Sequence, residues 1–213
     1  MRESVPFDDS FRTRLRDLFT WRRDVRRFRP DPLPADTLER LIEVACLSPS
    51  VGLSQPWRFV VVDDLSRRQA VRDEFRRCNA EALGAYSDIL AARYAELKLA
   101  GLDEAPCQFA AFADCATGVG HGLGRRTMPE TAAYSVVTAV AMMWLAARAE
   151  GIGMGWVSIL EPSRMNEILD VPRAWQLIGY LCLGYPRIET DQPELERFGW
   201  EQRQHASTCI VRR

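Results

Sequence analysis

The stretch LSPSVGLSQPWRFVVVDD (residues 47–64) places a turn-rich segment directly before a short apolar run. Serine, glycine and proline recur up to Trp57, and these residues favour turns because each supports a particular backbone conformation. The run from Phe59 to Val62 is apolar, rich in β-branched residues and followed by two acids, which predicts a buried strand. The stretch therefore predicts a turn that leads the chain into the core of a sheet.

Outside this stretch, helical and strand-like segments alternate along the chain. Helices are predicted around residues 11–19, from Asp36, over residues 66–100, from about Glu130 to Glu150 and over Ser163–Leu169. Asp36 and Glu39 have the spacing of a capping box. Strands are predicted at residues 108–114, within 153–162 and at 176–186, and STCIVRR (residues 207–213) is a candidate last strand. This order predicts an α/β or α+β class, and we expect residues 1–213 to form a single domain.

Composition restricts the class of protein. The net charge of −1 lowers the expectation of a nucleic-acid partner. The apolar segment Val136–Ala147 is shorter than the about 20 residues of a membrane span, so we expect no membrane partner. The six cysteines include no CxxC pair, which indicates reduced, buried thiols in a cytoplasmic protein. With two histidines in the chain, we expect no metal site.

A second unusual segment, WRRDVRRFRPDP (residues 21–32), carries five arginines around one acid, Asp24. One explanation is a solvated basic loop, including one that contacts nucleic-acid phosphates. The other is a focused anion site, because guanidinium groups form bidentate, charge-assisted bonds with phosphate. The loop alone favours neither explanation. The glycine-rich segments GVGHGLG and GIGMG complete neither the dinucleotide-binding fingerprint nor the P-loop pattern.

Two further segments are irregular. Residues 115–131 are glycine-rich and too long for an ordinary connection, which predicts a lid or a binding loop. The tail, residues 187–213, is polar and too long to be expected to pack by itself. We expect this tail to embrace a second subunit.

Together with residues 48–57, the arginine-rich segment resembles the nitroreductase-type FMN-binding superfamily. Proteins of that superfamily carry an arginine-rich N-terminal loop, a P-S-x-x-N-x-Q-P-W-like segment, a long central helix, a G-x-G-x-x-W-like turn and a late L-G-Y-P. Here RRDVR, PSVGLSQPW, the helix at 130–150, GMGWVSIL and LGYP follow in that order over nearly the whole chain. Leu53 replaces the usual asparagine, and Asp24 stands where serine or a similar residue is usual. Both departures resemble the flavin-fragmenting branch of the superfamily, the 5,6-dimethylbenzimidazole synthases.

The resemblance implies an α+β nitroreductase fold, with a central mixed sheet flanked by helices, in an intertwined homodimer that holds FMN at the subunit interface. It also implies an enzyme that consumes reduced FMN together with O2, with a separate flavin reductase supplying the reduced flavin. The implied products are 5,6-dimethylbenzimidazole, which is the lower ligand of vitamin B12, and erythrose 4-phosphate.

The resemblance further implies the residues of the site. Asp24 and Ser158 match the catalytic positions of the branch, the first as a general acid or base beside the ribityl chain and the second as a hydrogen-bonding group near flavin N5. The expected FMN-binding residues are Arg22, Arg23, Asp24, Val25, Arg26, Ser50, Leu53, Gln55, Ser158, Ile159 and Arg203. Arg27 and Arg29 are expected to be structural, and the neighbouring arginines are expected to favour the ionised form of Asp24.

These sequence patterns are compatible with three explanations. The first is the flavin-fragmenting enzyme. The second is a conventional NAD(P)H-dependent, FMN-containing nitroreductase, against which Asp24 and Leu53 argue. The third is not an enzyme but an FMN carrier or a nucleic-acid-binding protein that uses the arginine-rich segment, in which Asp24 only ties the loop together as an ion-pair partner.

Overall fold

The structure is a computed structural model that describes residues 6–84, 86, 94 and 100–213. Its helices are α1 (Asp9–Trp21), α2 (Thr37–Ala45), α3 (Leu65–Gly84), α4 (Gly101–Glu104), α5 (Thr131–Ala149), α6 (Pro162–Leu169) and α7 (Glu194–Arg197). Its strands are β1 (Trp57–Val61), β2 (Cys107–Asp114), β3 (Gly153–Val157) and β4 (Trp175–Gly184). Short 3₁₀ turns cover Val51–Leu53, Val119–Gly122 and Ala206–Cys209.

The strands form one sheet with the order β1-β2-β4-β3. The predicted α+β class is confirmed. The prediction of a mixed sheet is wrong for these four strands, because every neighbouring pair is antiparallel. Among the described residues, parallel pairing is limited to an isolated bridge between Asp24 and Met154. Since β1 and β3 are the two edge strands, the turn before β1 and the arginine-rich segment at β3 lie at opposite edges of the sheet.

Helix α5 is the central helix and packs on both the sheet and α2. Its fully buried side chains recur every three or four residues, which is the period of one helical face; they include Val136, Val140, Met143 and Ala147. The helix has the length and apolar composition of a membrane span, but these contacts identify it as a core helix. On its other face, Tyr134 and Val137 are 53% and 41% exposed, so the part of the chain that the structure describes leaves an apolar stripe of α5 uncovered.

Sequence predictions failed mainly where an element ends. Asp36 precedes α2, but its carboxylate forms an ion pair with Arg40 instead of capping the helix. The segment STCIVRR forms a 3₁₀ turn and exposed coil rather than a strand. One or two helices were predicted over residues 66–100, the second around residues 82–99; the first is confirmed as α3 up to Gly84, and most of the second lies outside the described residues.

The cysteines are free thiols, but the prediction that they are buried is wrong for most of them. Cys182 on β4 is buried, Cys78 and Cys107 are partly buried, and Cys46, Cys115 and Cys209 are exposed. An apolar run predicts burial only when its element faces the core, and several cysteines stand at element ends instead.

Candidate active site

The arginine loop, defined as residues 22–29, lies along the free edge of β3. The Val25 N–H donates to the Met154 carbonyl at 3.0 Å, and the bridge between Asp24 and Met154 places the acid beside this strand. Two glycines allow the close approach. A Cβ on Gly155 would lie 2.2 Å from the Val25 carbonyl oxygen, and one on Gly153 would lie 2.7 Å from a Val25 methyl group. The two glycines of β3 therefore allow the arginine loop to pack directly against the strand.

The far end of the arginine loop is anchored in the core. Phe28 is fully buried, and its N–H donates to the Glu104 carboxylate at 2.9 Å. Arg187 clamps the same point, because its Nε donates to the Phe28 carbonyl at 2.9 Å and its guanidinium pairs with Glu104 at 3.0 Å. Arg29 lies 5.0 Å above the Tyr185 ring, which is a structural contact. The loop is thus fixed at both ends.

The Asp24 carboxylate is held between β3 and the arginines. One oxygen accepts from the Trp156 backbone N–H at 2.9 Å, and the other lies 3.6 Å from Nε of Arg26. Desolvation raises the pKa of Asp24 above the ordinary carboxyl value, outweighing the Trp156 hydrogen bond and the charges of Arg26 and Arg22, which lower it. Because 37% of the side chain is exposed in the single chain, this desolvation comes from surrounding protein atoms without full enclosure. The neighbouring arginines do favour the ionised form, as expected, but desolvation has the larger effect on this pKa.

Four arginines line the same cavity as Asp24. The cavity is open to solvent on one side and has a volume of about 540 Å³ including that open part; its walls are Arg22, Arg23, Asp24, Arg26, Pro193, Glu194, Leu195 and Arg203. Desolvation lowers the pKa of both Arg22 and Arg23, and the like charge of Arg203 lowers them further. Nε of Arg23 is buried with no hydrogen-bond partner in the part of the chain that the structure describes. Crowded cations with an unused donor favour a bound anion, which supplies both counter-charge and acceptors.

Trp144 on α5 holds the start of the loop, a role that the sequence did not reveal. The guanidinium of Arg22 lies 4.9 Å from its ring centroid, and its Nε1 donates to the Arg23 carbonyl at 3.1 Å. Its ring also lies 6.2 Å from that of Trp156, the residue whose N–H binds Asp24. The one general signal was that a buried indole N–H usually finds a polar partner.

Ser158 and Ile159 directly follow β3 and belong to the same region. An extended chain advances about 3.3 Å per residue, so Ser158 lies within about 7 Å of the Trp156 N–H that binds Asp24. Ser158 is exposed, which leaves its hydroxyl accessible to a ligand. The structure thus brings together eight of the eleven predicted FMN-binding residues: Arg22, Arg23, Asp24, Val25, Arg26, Ser158, Ile159 and Arg203.

The other three predicted residues, Ser50, Leu53 and Gln55, form a separate turn before β1. The Gln55 N–H donates to Ser50 Oγ at 3.1 Å, and the Val51 N–H donates to Ser135 Oγ on α5 at 3.0 Å. Leu53 and Gln55 have φ angles of 52° and 44°, in the left-handed region that residues with a Cβ rarely adopt. Leu53 is also 70% exposed. An apolar side chain held outward on a strained backbone is typical of a functional surface.

This turn, residues 50–55, is remote from the arginine loop in the same chain. Three strand spacings of about 4.8 Å separate the two edges of the sheet, which gives about 14 Å. Contacts with α5 give the same distance. The turn bonds to Ser135 and the arginine loop bonds to Trp144, and the step of nine residues between these two helix positions rises about 14 Å. One chain therefore carries the predicted site as two separate surfaces.

Comparison with known proteins identifies relatives of this chain. Residues 19–185 match the sequence model of the nitroreductase family. The chain is 56% identical over 203 residues to 5,6-dimethylbenzimidazole synthase of Rhodospirillum rubrum, covering 95% of this chain and 96% of that protein. It is 42% identical over 196 residues to 5,6-dimethylbenzimidazole synthase of Rhodobacter capsulatus, covering 92% and 95%. The crystal structure of oxidized iodotyrosine deiodinase bound to FMN and 3-iodo-L-tyrosine shares the fold, with 24% identity and a TM-score of 0.73 over 93% of this chain and 97% of that chain.

Proposed function

Because the chain belongs to the nitroreductase family, we propose that it has the activity of the 5,6-dimethylbenzimidazole synthases within that family. It takes reduced FMN as its substrate and, with O2, forms 5,6-dimethylbenzimidazole and erythrose 4-phosphate, while the pyrimidine part of the flavin ring leaves as a separate fragment. The observation that carries this proposal is an acid, Asp24, held on the wall of an arginine-lined cavity. The full-length similarity to two synthases supports it.

The arginine-lined cavity fits the phosphate end of FMN. Arg22, Arg23, Arg26 and Arg203 supply the positive charge, and the buried Nε of Arg23 offers a donor that no described residue uses. Trp144 keeps the Arg22 guanidinium in place by stacking. In this assignment the arginines bind and orient the substrate, and Asp24 faces the ribityl chain next to the phosphate.

Asp24 is the acid–base group of the proposed reaction. Reduced FMN supplies the electrons that O2 accepts, and the protein supplies and removes protons at the substrate. The hydrogen bond from Trp156 fixes one carboxylate oxygen, which leaves the other for the substrate. Desolvation raises the pKa of Asp24 above the ordinary carboxyl value, the direction in which a carboxyl becomes a better general acid. Ser158 donates a hydrogen bond to the flavin ring and steers the reaction towards fragmentation.

The second candidate, a conventional NAD(P)H-dependent nitroreductase, is supported less well. Such an enzyme passes a hydride through a flavin that it retains, and it has no need of a desolvated carboxylate among the phosphate-binding arginines. Leu53 likewise presents an apolar group where other members of the superfamily have an amide. The synthase activity accounts for both residues.

We also propose that the enzyme is a homodimer with sites shared between subunits. Proteins of the nitroreductase family are typically dimeric. A two-fold contact through the uncovered stripe of α5, which contains Tyr134 and Val137, would bury that stripe against itself. The same contact would bring the turn of one copy, with Leu53, towards the arginine loop of the other. The tail, residues 187–213, extends this interface around the second subunit.

The cellular setting follows from the chemistry. Each turnover destroys one flavin, so the enzyme needs a continuous supply of reduced FMN, which a separate flavin reductase provides. Exposed thiols such as Cys46 stay reduced in the cytoplasm, and we place the enzyme there. Neither nucleic acid nor a membrane takes part.

The decisive experiment incubates the protein with chemically reduced FMN in air and analyses the products by mass spectrometry. We expect 5,6-dimethylbenzimidazole and erythrose 4-phosphate in equal amounts. If oxidised FMN and hydrogen peroxide are the only products, the proposed activity is rejected and the nitroreductase alternative gains support.

Mixed dimers test the shared site. One copy carries Asp24→Asn, and the other carries Gln55→Gly, because glycine accepts the positive φ of that position. If each site combines the loop of one copy with the turn of the other, a dimer of the two inactive variants contains one intact site. We expect co-refolded variants to recover a substantial part of the wild-type rate. No recovery would place the complete site within a single chain.

A further inference from the structure

The glycine-rich segment, residues 115–131, interlocks with the turn at residues 50–55. A Cβ on Gly120 would lie 2.4 Å from the Gly52 carbonyl oxygen. In return, a Cβ on Gly52 would lie 3.0 Å from the Leu123 carbonyl oxygen, and one on Gly124 would lie 2.7 Å from a Val51 methyl group. The two segments therefore meet at positions where no further side chain fits.

The segment also has internal support. The Arg125 guanidinium donates to the carbonyls of Thr117 at 2.7 Å and Val119 at 3.1 Å. The backbone curls through Gly120, Gly122 and Gly124, each with a positive φ that glycine tolerates. These contacts support one backbone conformation of the segment.

The opposite side of the turn is fixed to α5. The Val51 N–H donates to Ser135 Oγ at 3.0 Å, and Ser48 Oγ lies 3.0 Å from Thr138 Oγ1. The turn is thus held between a helix on one side and the glycine-rich segment on the other. A left-handed backbone at residues with a Cβ persists only when its surroundings determine it. The interlock provides such surroundings for Leu53.

We propose that residues 115–131 act as a brace that positions Leu53 and Gln55 against the flavin, with Gly120 as the positioning residue. This inference rests on the proposed function, because it assigns the turn to the flavin. The brace decides the outcome of the reaction more than the binding of the substrate, since the arginines assigned to the phosphate belong to the arginine loop and the tail and not to the turn. When the turn moves, reduced FMN passes two electrons and two protons to O2, which yields oxidised FMN and hydrogen peroxide without fragmentation.

Three alanine substitutions in this one segment form a matched set. Gly120→Ala places its methyl group on a backbone with a positive φ and brings it into collision with the Gly52 carbonyl. Gly122→Ala places its methyl group on a backbone with a positive φ, but no atom of the other described residues lies within 4 Å of it. Gly118→Ala has neither the positive φ nor a close neighbour. The measurement is the ratio of 5,6-dimethylbenzimidazole formed to reduced FMN consumed. A displacement of about 1 Å at a site can lower a rate about 100-fold, so we expect Gly120→Ala to lower this ratio about tenfold or more. Gly118→Ala and Gly122→Ala should keep the wild-type ratio.

A second measurement does not depend on the chemistry. The amide protons of Val51 and Gln55 are hydrogen-bonded in the turn, so their exchange with solvent reports its order. We expect Gly120→Ala to speed their exchange at least tenfold relative to Gly122→Ala, which serves as the control for a strained backbone. Melting temperatures of the two variants show whether both are folded.

The outcomes separate the brace from the proposed function. A wild-type product ratio or wild-type amide exchange in Gly120→Ala would overturn the brace. If wild-type protein forms no 5,6-dimethylbenzimidazole but the amides of Gly120→Ala exchange as expected, the proposed activity fails and the structural role of the brace stands.

Discussion

Replacing Asp24 with asparagine removes the ionisable carboxyl group from the site and keeps a side chain of the same shape. The asparagine oxygen still accepts from the Trp156 N–H, and the lost ion pair with Arg26 is long at 3.6 Å and partly exposed. A pair of this kind contributes about 0–1 kcal/mol, so the loop should keep its place. The amide cannot exchange a proton, and removing a general acid–base group slows a reaction roughly 10²–10⁴-fold. We expect 5,6-dimethylbenzimidazole formation to fall by that factor while FMN binding persists.

The same substitution is expected to stabilise the protein without flavin. Because desolvation raises the pKa of Asp24 in the folded protein, its ionised form is less favourable there than in the unfolded chain. The carboxylate therefore lowers stability above its folded pKa, and this penalty disappears as the pH falls below the ordinary carboxyl pKa of 3.8. Asp24→Asn should melt at a higher temperature than wild type at neutral pH, and the difference should close in acid.

The assay combines three readouts on each protein. Products from reduced FMN in air are quantified by mass spectrometry, FMN affinity is measured by fluorescence titration, and melting temperature is recorded across the pH range. Asp31→Asn is the matched control, because Asp31 is an exposed acid that pairs with Arg29 outside the cavity. Wild-type product formation by Asp24→Asn would refute the catalytic role. A lower melting temperature at neutral pH would show that the arginines, and not desolvation, dominate its energetics.

Three other substitutions test separate parts of the structure. Ser158→Gly should lower product formation while oxidation of reduced FMN continues, and equal product from both proteins would count against its hydroxyl. Gly155→Ala places a methyl group 2.2 Å from the Val25 carbonyl oxygen, so we expect the arginine loop to shift. FMN affinity, measured by fluorescence, should then fall about tenfold or more. Unchanged affinity would contradict the role of Gly155 in positioning the loop. The pKa of Glu74 is lowered to about 2, first by its hydrogen bond from Arg77, so its ionised form stabilises the fold above pH 4.5 and this stabilisation is lost towards pH 2. Glu74→Gln should lower the melting temperature by roughly 4–8 °C at neutral pH, corresponding to about 2 kcal/mol, and a deficit that persists at pH 2 would contradict the assignment.

The sequence correctly predicted elements whose hydrophobic side chains pack against other parts of the same chain. Helix α5 and strand β2 were correctly located because each buries a regular pattern of side chains against its neighbours. The segment STCIVRR has the composition of a strand, but a strand exists only where another strand pairs with it. No strand within the described residues pairs with this segment. A prediction made from a local pattern cannot supply that partner.

The candidate site shows the same limit. The arginines and Asp24 were recognised as a group because they are adjacent in the sequence. The contacts that define their chemistry come from far along the chain: the Trp156 N–H on Asp24 is 132 residues away, and the Trp144 indole on Arg23 is 121 residues away. No local spacing encodes these contacts. The sequence correctly predicted that the arginines favour the ionised form of Asp24, but it did not reveal the larger effect of desolvation, because adjacency identifies neighbouring charges and not burial.

That shift explains why an acid among arginines suits the proposed reaction. If the arginines alone controlled Asp24, it would be a weak base with no access to its protonated form near neutral pH. Desolvation already opposes this control in the single chain. A phosphate in the same cavity acts in the same direction, because it occupies Arg22 and Arg26 and adds negative charge beside the carboxylate. If Arg22 and Arg26 bind the phosphate as proposed, their effect on Asp24 weakens, and its protonated form is more populated with substrate in the cavity than without it.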